Sequence, residues 1–333
     1  MQKTWLVTGG AGFIGSCFVR ETLKQYHGEI VVLDALTYAG NLENLAEVAA
    51  EPGFRFVHGN ICDGPLLARL FHDIKPHAVL HFAAETHVDR SILAPEAFIQ
   101  TNVEGTFQLL KATLDYYGSL DAEVKRDFRF LHLSTDEVYG SLSPTDPAFR
   151  EDAPYRPNSP YSASKAASNH LVRAYHQTYG LPTLTINASN TYGPRQFPEK
   201  LIPLMIQNAL AGKPLPIYGD GSNIRDWLYV SDLCAGIRCV LKQGRTGETY
   251  NIGGEQEMPN EALVNKLCTI LDKLAPKTTS YAEQIIYVKD RPGHDHRYAL
   301  DISKIRNELG WKPIETLESG LRKSMPWYLR IKC

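Results

Sequence analysis

Short apolar runs alternate with amphipathic stretches through the first half of the chain. Thr4–Thr8, Ile30–Asp34, Arg55–His58, Ala78–Phe82, Arg129–Ser134 and Thr183–Asn187 read as strands. Between them, Phe13–Gln25, Pro65–Ile74, Ala97–Tyr117 and Ser162–Tyr179 read as helices. Such alternation predicts an α/β protein with a parallel sheet covered by helices, and right-handed crossovers make it doubly wound.

The pattern changes after Asn190. Pro194, Pro198, Pro203, Pro214 and Pro216 interrupt the alternation, so the chain is expected to leave the sheet here. Trp227–Val230 and Thr249–Ile252 read as strands again, with a helix near Asp232–Leu241 between them. The expected division is therefore discontinuous. Residues 1–190 with about 227–254 form one domain, and about 191–226 with 255–330 form a smaller C-terminal one.

Composition narrows the possibilities. A formal net charge of -2 gives no broad cationic surface, so neither nucleic acid nor a membrane is an expected partner. No apolar run approaches membrane-spanning length and no signal-peptide pattern precedes the first strand. The cysteines at 17, 62, 234, 239, 268 and 333 show no metal-ligand spacing and several fall in helical stretches. Small buried thiols, no metal and a cytoplasmic location are expected.

The first strand runs into Gly9-Gly10-Ala11-Gly12-Phe13-Ile14-Gly15, where a helix begins. Glycines at 9, 12 and 15 suit a tight turn and close backbone approach to a pyrophosphate at a helix N-terminus. Asp34 ends the second strand, the position from which a carboxylate holds an adenosine ribose and selects NAD over NADP. The fold is thus expected to be Rossmann-type. Asn60-Ile61 and Ala83-Ala84-Glu85-Thr86 follow the third and fourth strands, at the sheet edge where such folds bind ligands.

Tyr161 and Lys165 stand at i and i+4, on one helix face. An ammonium beside a phenol favours phenolate, so Lys165 is expected to lower the pKa of Tyr161 and make it a base for an alcohol proton. The strand ending at Ser134 delivers Thr135-Asp136-Glu137. Thr135 can hydrogen-bond a reacting oxygen, and two confined carboxyls tend to split into one acid and one base. Position alone leaves an exposed acidic turn equally open.

The glycine run, Asp34, Ser134-Thr135-Asp136-Glu137-Val138-Tyr139-Gly140 and Tyr161-xxx-Lys165 together resemble the extended short-chain dehydrogenase/reductase superfamily. Within it the chain is most similar to the dTDP-glucose 4,6-dehydratase family. That likeness extends through Phe197–Pro203, Pro216–Gly219, Ile224–Trp227 and Asp290–Asp295. The resemblance implies a hydro-lyase that converts the nucleotide sugar dTDP-glucose to its 4-keto-6-deoxy product with bound NAD. Tyr161, Lys165 and Thr135 would serve oxidation at C4; Glu137 would take the C5 proton and Asp136 would protonate the departing C6 hydroxyl.

The resemblance also implies Phe13, Ile14, Thr37, Thr101 and Thr191 as cofactor neighbours. It implies Thr86, Asn190, Lys200, Leu201, Pro216, Ile217, Tyr218, Arg225, Asn260, Asp290, Arg291 and His294 as substrate neighbours. Arg225 and Arg291 suit a diphosphate because guanidinium offers forked, charge-assisted donors. Asn60, Thr86 and Thr191 stand where the family commonly has aspartate, serine and asparagine. A homodimer built on helices 97–117 and 162–179 is also implied, with Leu109, Leu110 and Leu114 facing either the partner or their own core. Three other functions remain: a UDP-glucose 4,6-dehydratase, a nucleotide-sugar 4-epimerase and a non-catalytic NAD-binding protein.

Overall fold

The computed structural model describes residues 3–330; Cys333 lies outside them. Twelve strands occur in the described chain. They are β1 (Thr4–Thr8), β2 (Glu29–Asp34), β3 (Phe54–His58), β4 (Ala78–His81), β5 (Arg129–Thr135), β6 (Thr183–Ala188), β7 (Asn190–Tyr192), β8 (Leu215–Tyr218), β9 (Ile224–Tyr229), β10 (Thr249–Ile252), β11 (Glu257–Pro259) and β12 (Ile285–Val288). Seven of them form one sheet in the order β10-β6-β5-β4-β1-β2-β3, with every pair parallel. Strands such as Ile30–Leu33 are apolar on both faces because helices cover both sides, and all four are fully buried.

Chain order reverses between β1 and β4. The connections on either side then diverge and open a crevice at the carboxyl ends of the strands. That crevice holds the residues of interest.

The helix Pro160–Tyr179 supplies one wall. Ser159 caps it reciprocally with Ser162, Pro160 occupies the first turn, and Gly180 ends it in a left-handed conformation at φ 68°. The stretch expected as a single helix over 97–117 is more complex. A π-helical segment, Ile99–Gly105, precedes the α-helix Thr106–Ser119. The wider turn carries Asn102, whose side chain and carbonyl both bond outside the helix. π-turns of this kind concentrate at functional sites.

A second apolar core gathers Tyr192, Ile202, Met205, Ile206, Leu263, Leu267, Leu321 and Met325, among others. It is flanked by a three-stranded sheet, β11-β9-β7, and a two-stranded one, β12-β8. Here the sequence reading needs correction. The strand expected at Trp227–Val230 is not part of the large sheet; β9 pairs with β7 and β11. Its side chains alternate between the two cores: Trp227 and Tyr229 point into the second, Leu228 into the first. The chain rejoins the first core with the helix Val230–Gln243 and then β10.

Leu109 and Leu110 are fully buried in the chain's own core, and Leu114 packs against that cluster. Leu109 and Leu110 therefore do not face a partner.

Candidate active site

The glycine loop is built for close approach. Gly9 has φ +70°, and a Cβ there would lie 2.5 Å from the Ala83 nitrogen. A Cβ on Gly15 would lie 2.2 Å from the Gly9 carbonyl oxygen. Asp34 braces this turn, accepting from Ala11 N at 2.9 Å and from Leu36 N at 2.8 Å. Burial raises its pKa, and those backbone donors oppose the rise. The same cleft is lined by Gly12, Phe13, Ile14, Thr37, Asn60, Ile61, Ala83, Ala84, Thr86, Thr101, Asn190 and Thr191. Two side chains are partly engaged within the protein. Asn60 Oδ1 accepts from Cys62 N at 2.9 Å, and the Thr191 hydroxyl donates to Ser189 O at 3.1 Å.

At the far end of the cleft, β5 delivers Thr135-Asp136-Glu137 against Tyr161. Thr135 caps a short turn, its hydroxyl accepting from Glu137 N at 3.3 Å and donating to Asp136 Oδ1 at 3.2 Å. Asp136 is 1 % exposed, and its Oδ2 has no hydrogen-bond partner. Burial, then Glu137 and Asp226, push its pKa well above the ordinary carboxylate value, which favours the protonated form. The acidic run is therefore not an exposed turn. Burial also raises the pKa of Glu137, but Arg291, Lys200 and Arg225 act against it. The two neighbours are thus held in different environments, the condition for one acid and one base.

The expectation for Tyr161 needs correction. Its phenol pKa is pushed well up, first by burial and then by Glu137 and Asp136, with Thr135 opposing. Lys165 does not offset this. Its Nζ donates to the Leu133 carbonyl at 2.9 Å, and burial pulls its own pKa down to about 7. One helical turn puts the two side chains on one face, but the nearest acceptor for the ammonium is the strand beneath.

Cationic side chains from distant segments surround Glu137. Lys200 donates to Thr86 O at 2.6 Å, and Arg291 approaches Asp89 at 3.4 Å. Arg225 is buried, bonded to the carbonyls of Ile224, Asp295 and His296, with its guanidinium 4.4 Å from the Tyr298 ring centre. Tyr218 donates to Asp89 Oδ2 at 3.2 Å, and His294 pairs with Asp290 at 2.6 Å. The Oδ1 atoms of Asn190 and Asn260 are buried without partners, as polar groups awaiting a ligand would be. Leu201 and Ile217 belong to the second core, Ile217 being 2 % exposed, so its side chain is structural. Pro216 lies beside it on β8.

The structure adds residues to which the sequence reading gave no role. Asn102 clamps the loop after β4, accepting from Glu85 N at 2.9 Å while donating to Glu85 O and to Ser164 Oγ. Glu199 lines the cleft, and Tyr38 donates to it at 3.1 Å. Glu199 lies within the quoted Phe197–Pro203 stretch, so that motif was the available signal. Asn102 gave none, because its partners are set by folding.

The family model for GDP-mannose 4,6 dehydratase matches residues 6–324. The chain belongs to this family. A dTDP-glucose 4,6-dehydratase of Salmonella typhimurium (strain LT2) is 56 % identical, covering 97 % of this chain and 92 % of the relative. The solved dTDP-glucose 4,6-dehydratase DesIV of Streptomyces venezuelae, with NAD bound, has a TM-score of 0.90 at 48 % identity and covers 98 % of this chain and 97 % of its own. A Thermotoga maritima UDP-glucose 4-epimerase shares the fold at a TM-score of 0.85 but only 28 % identity, covering 98 % of this chain and 99 % of its own. The family fold is therefore common to dehydratases and epimerases, and the site must separate them.

Proposed function

We propose that the cleft converts dTDP-glucose to dTDP-4-keto-6-deoxyglucose, a hydro-lyase reaction with bound NAD. The observation that carries this reading is the pair Asp136 and Glu137 beside Tyr161, both with pKa values raised by burial and one with a buried oxygen that has no partner. Epimerisation at C4 uses only a tyrosine, a lysine and NAD, and leaves that pair without a task.

The residues suit NAD. The cradle at Gly9 and Gly15 excludes any Cβ, and Asp34 ends β2 where a ribose hydroxyl would meet it. Bound NAD supplies a hydride acceptor at C4 and a donor at C6. Gly9, Gly12 and Gly15 would hold its pyrophosphate, with Asn60, Ile61, Ala83, Ala84, Thr37, Thr101 and Thr191 around the rest.

Tyr161, once ionised to phenolate, takes the proton of the C4 hydroxyl while Thr135 hydrogen-bonds the same oxygen. Lys165, held by the Leu133 carbonyl, stands one helical turn from Tyr161 on the same helix face. A ketone at C4 acidifies the C5 proton, which Glu137 removes. Asp136, whose burial favours the protonated form, hands its proton to the departing C6 hydroxyl, so water leaves. General acid–base steps of this kind contribute ~10²–10⁴-fold each. Arg225, Arg291 and Lys200 are the cations available to a diphosphate, with Thr86, Asn190, Tyr218, Asn260, Asp290 and His294 around the remaining polar groups.

The decisive experiment pairs Glu137→Gln with a panel of dTDP-, UDP-, GDP- and CDP-hexoses, scored for keto-sugar formation. The reading requires dTDP-glucose to be preferred and Glu137→Gln to lose nearly all product. Full activity of that variant, or dTDP-galactose as the main product, overturns it.

The same proposal includes a nucleotide-sugar domain of about 191–226 and 255–330 on the NAD-binding remainder. Separate apolar cores support that division, as does the alternation of the β9 side chains between them. It also includes a homodimer, tested by sedimentation. Ile99, within the first stretch expected to pair, is 53 % exposed, and Leu93 just before it is 85 % exposed. No helix of the described residues is long and apolar enough to cross a membrane.

A further inference from the structure

Cys17 and Cys234 lie far apart in sequence but meet where the helix Phe13–Leu23 crosses the helix Val230–Gln243. Glu21, one turn beyond Cys17, completes a three-residue cluster. One ligand atom from each side chain lies within 4.8 Å of the other two. The Glu21 carboxylate is 3.6 Å from Cys17 Sγ. Both cysteines are buried, at 4 % and 0 % exposure, while Glu21 is half-buried. None of the three takes part in the chemistry proposed above.

We propose that Cys17, Cys234 and Glu21 bind one thiophilic d¹⁰ divalent cation such as Zn²⁺, with water as the fourth ligand. Two thiolates and a carboxylate are a ligand set suited to such an ion, whose tetrahedral geometry at Zn–S about 2.3 Å puts sulfurs about 3.8 Å apart. Binding displaces two thiol protons and yields a complex of net charge minus one: two thiolates and one carboxylate against one dication.

The surroundings match that residual charge. Arg238 lies 3.3 Å from Glu21. Arg20, three residues beyond Cys17 on the same helix, has its guanidinium fixed on the Asn44 carbonyl at 2.7 Å. Two guanidiniums that would repel a bare dication instead neutralise the anionic complex. A disulfide is the poorer use of the pair. It leaves Glu21 without a role, and it requires an oxidant to reach two buried sulfurs.

The position gives the ion a consequence. The first turn of the helix Phe13–Leu23 forms the glycine cradle, and Cys234 Sγ lies 3.9 Å from the Ile14 carbonyl. A metal joining Cys17 to Cys234 would pin the cradle helix to its neighbour, stabilising the cofactor-binding half.

The test titrates chelator-treated holoenzyme with Cd²⁺ and reads thiolate-to-cadmium charge transfer in the ultraviolet. One equivalent per chain is expected. The band is lost in Cys17→Ser and in Cys234→Ser, and kept in Cys268→Ser, whose thiol lies in the other core. Glu21→Gln leaves both thiols intact and is expected to weaken binding at least tenfold. Zn²⁺ should raise the melting temperature of the parent protein and, at the same concentration, not that of Glu21→Gln, which guards against misfolded cysteine variants. Absence of the band, its survival in both serine variants, or diamide-induced loss of the two thiols with no Cd²⁺ uptake overturns the proposal. Keto-sugar formation is scored separately, so failure here leaves the proposed reaction standing.

Discussion

Lys165 hands its ammonium to the carbonyl oxygen of Leu133, 2.9 Å away on the strand that presents Thr135. The lysine is therefore clamped to the catalytic strand, and its charge is poorly solvated. Its pKa of about 7 lies below the usual lysine value of 10.5. The folded state binds fewer protons than the unfolded chain between those two values, so this group makes stability rise with pH across that window. Below pH 7 the whole penalty of burying the charge is present. Lys165→Met is expected to melt a few degrees above the parent at pH 6, with the gain shrinking towards pH 10, while keto-sugar formation falls ~10²-fold or more. Thermal melts across pH check this, and a variant less stable at every pH contradicts it.

Asp136→Asn separates elimination from oxidation. The amide keeps the size of the buried side chain but cannot protonate the leaving hydroxyl. Product formation is expected to fall by ~10²–10⁴-fold, while absorbance of reduced nicotinamide still appears when substrate is added. Loss of that absorbance as well would assign Asp136 to the redox step.

The acid limb of the pH profile belongs to Glu137. Burial raises its pKa above the ordinary 4.5, and as a base it works only when deprotonated. Activity should rise with pH through an apparent pKa above 4.5, and solvent deuterium should enter C5 only on the active side of that limb. Arg291→Gln removes the first of the opposing charges and should move the limb to higher pH. An unmoved limb argues that another group controls it.

Gly15→Ala tests the cradle. The added Cβ would lie 2.2 Å from the Gly9 carbonyl, so the loop must open. NAD content of the purified protein should fall at least tenfold, with the circular dichroism unchanged. Retention of stoichiometric NAD would show that the loop has room the structure does not display.

Asn102→Ala removes the clamp on the loop after β4. Three side-chain bonds are lost and the Glu85 backbone groups are left unpaired in a half-buried position, costing about 1–3 kcal/mol. A lower melting temperature together with a higher KM for dTDP-glucose is expected, since Thr86 lies on the same loop. Asn102→Asp should recover the bond to Glu85 N only.

Much of this protein is legible along the chain because the signals are local. The glycine run at 9–15 follows a strand and opens a helix within a few residues, and Asp34 closes the next strand. Thr135, Asp136 and Glu137 are consecutive, and Tyr161 and Lys165 are one helical turn apart. Strand–helix alternation gave the parallel sheet for the same reason, since it requires only nearest-neighbour periodicity. What the sequence left open depends on partners brought from afar. Whether Asp136 and Glu137 were an exposed turn or a buried pair was undecidable until β5 was enclosed, because protonation follows from desolvation and neighbouring charge. Spacing puts Lys165 on the face of Tyr161, but only the fold brings the burial that raises the phenol pKa and the Leu133 carbonyl that takes the ammonium. Leu109 and Leu110 had two possible destinations, and packing chose the chain's own core. Strand β9 was legible as a strand, but only hydrogen-bonded register put it in the smaller sheet. Cys17 and Cys234 carry no signal in sequence; two helices crossing at the cradle make them neighbours.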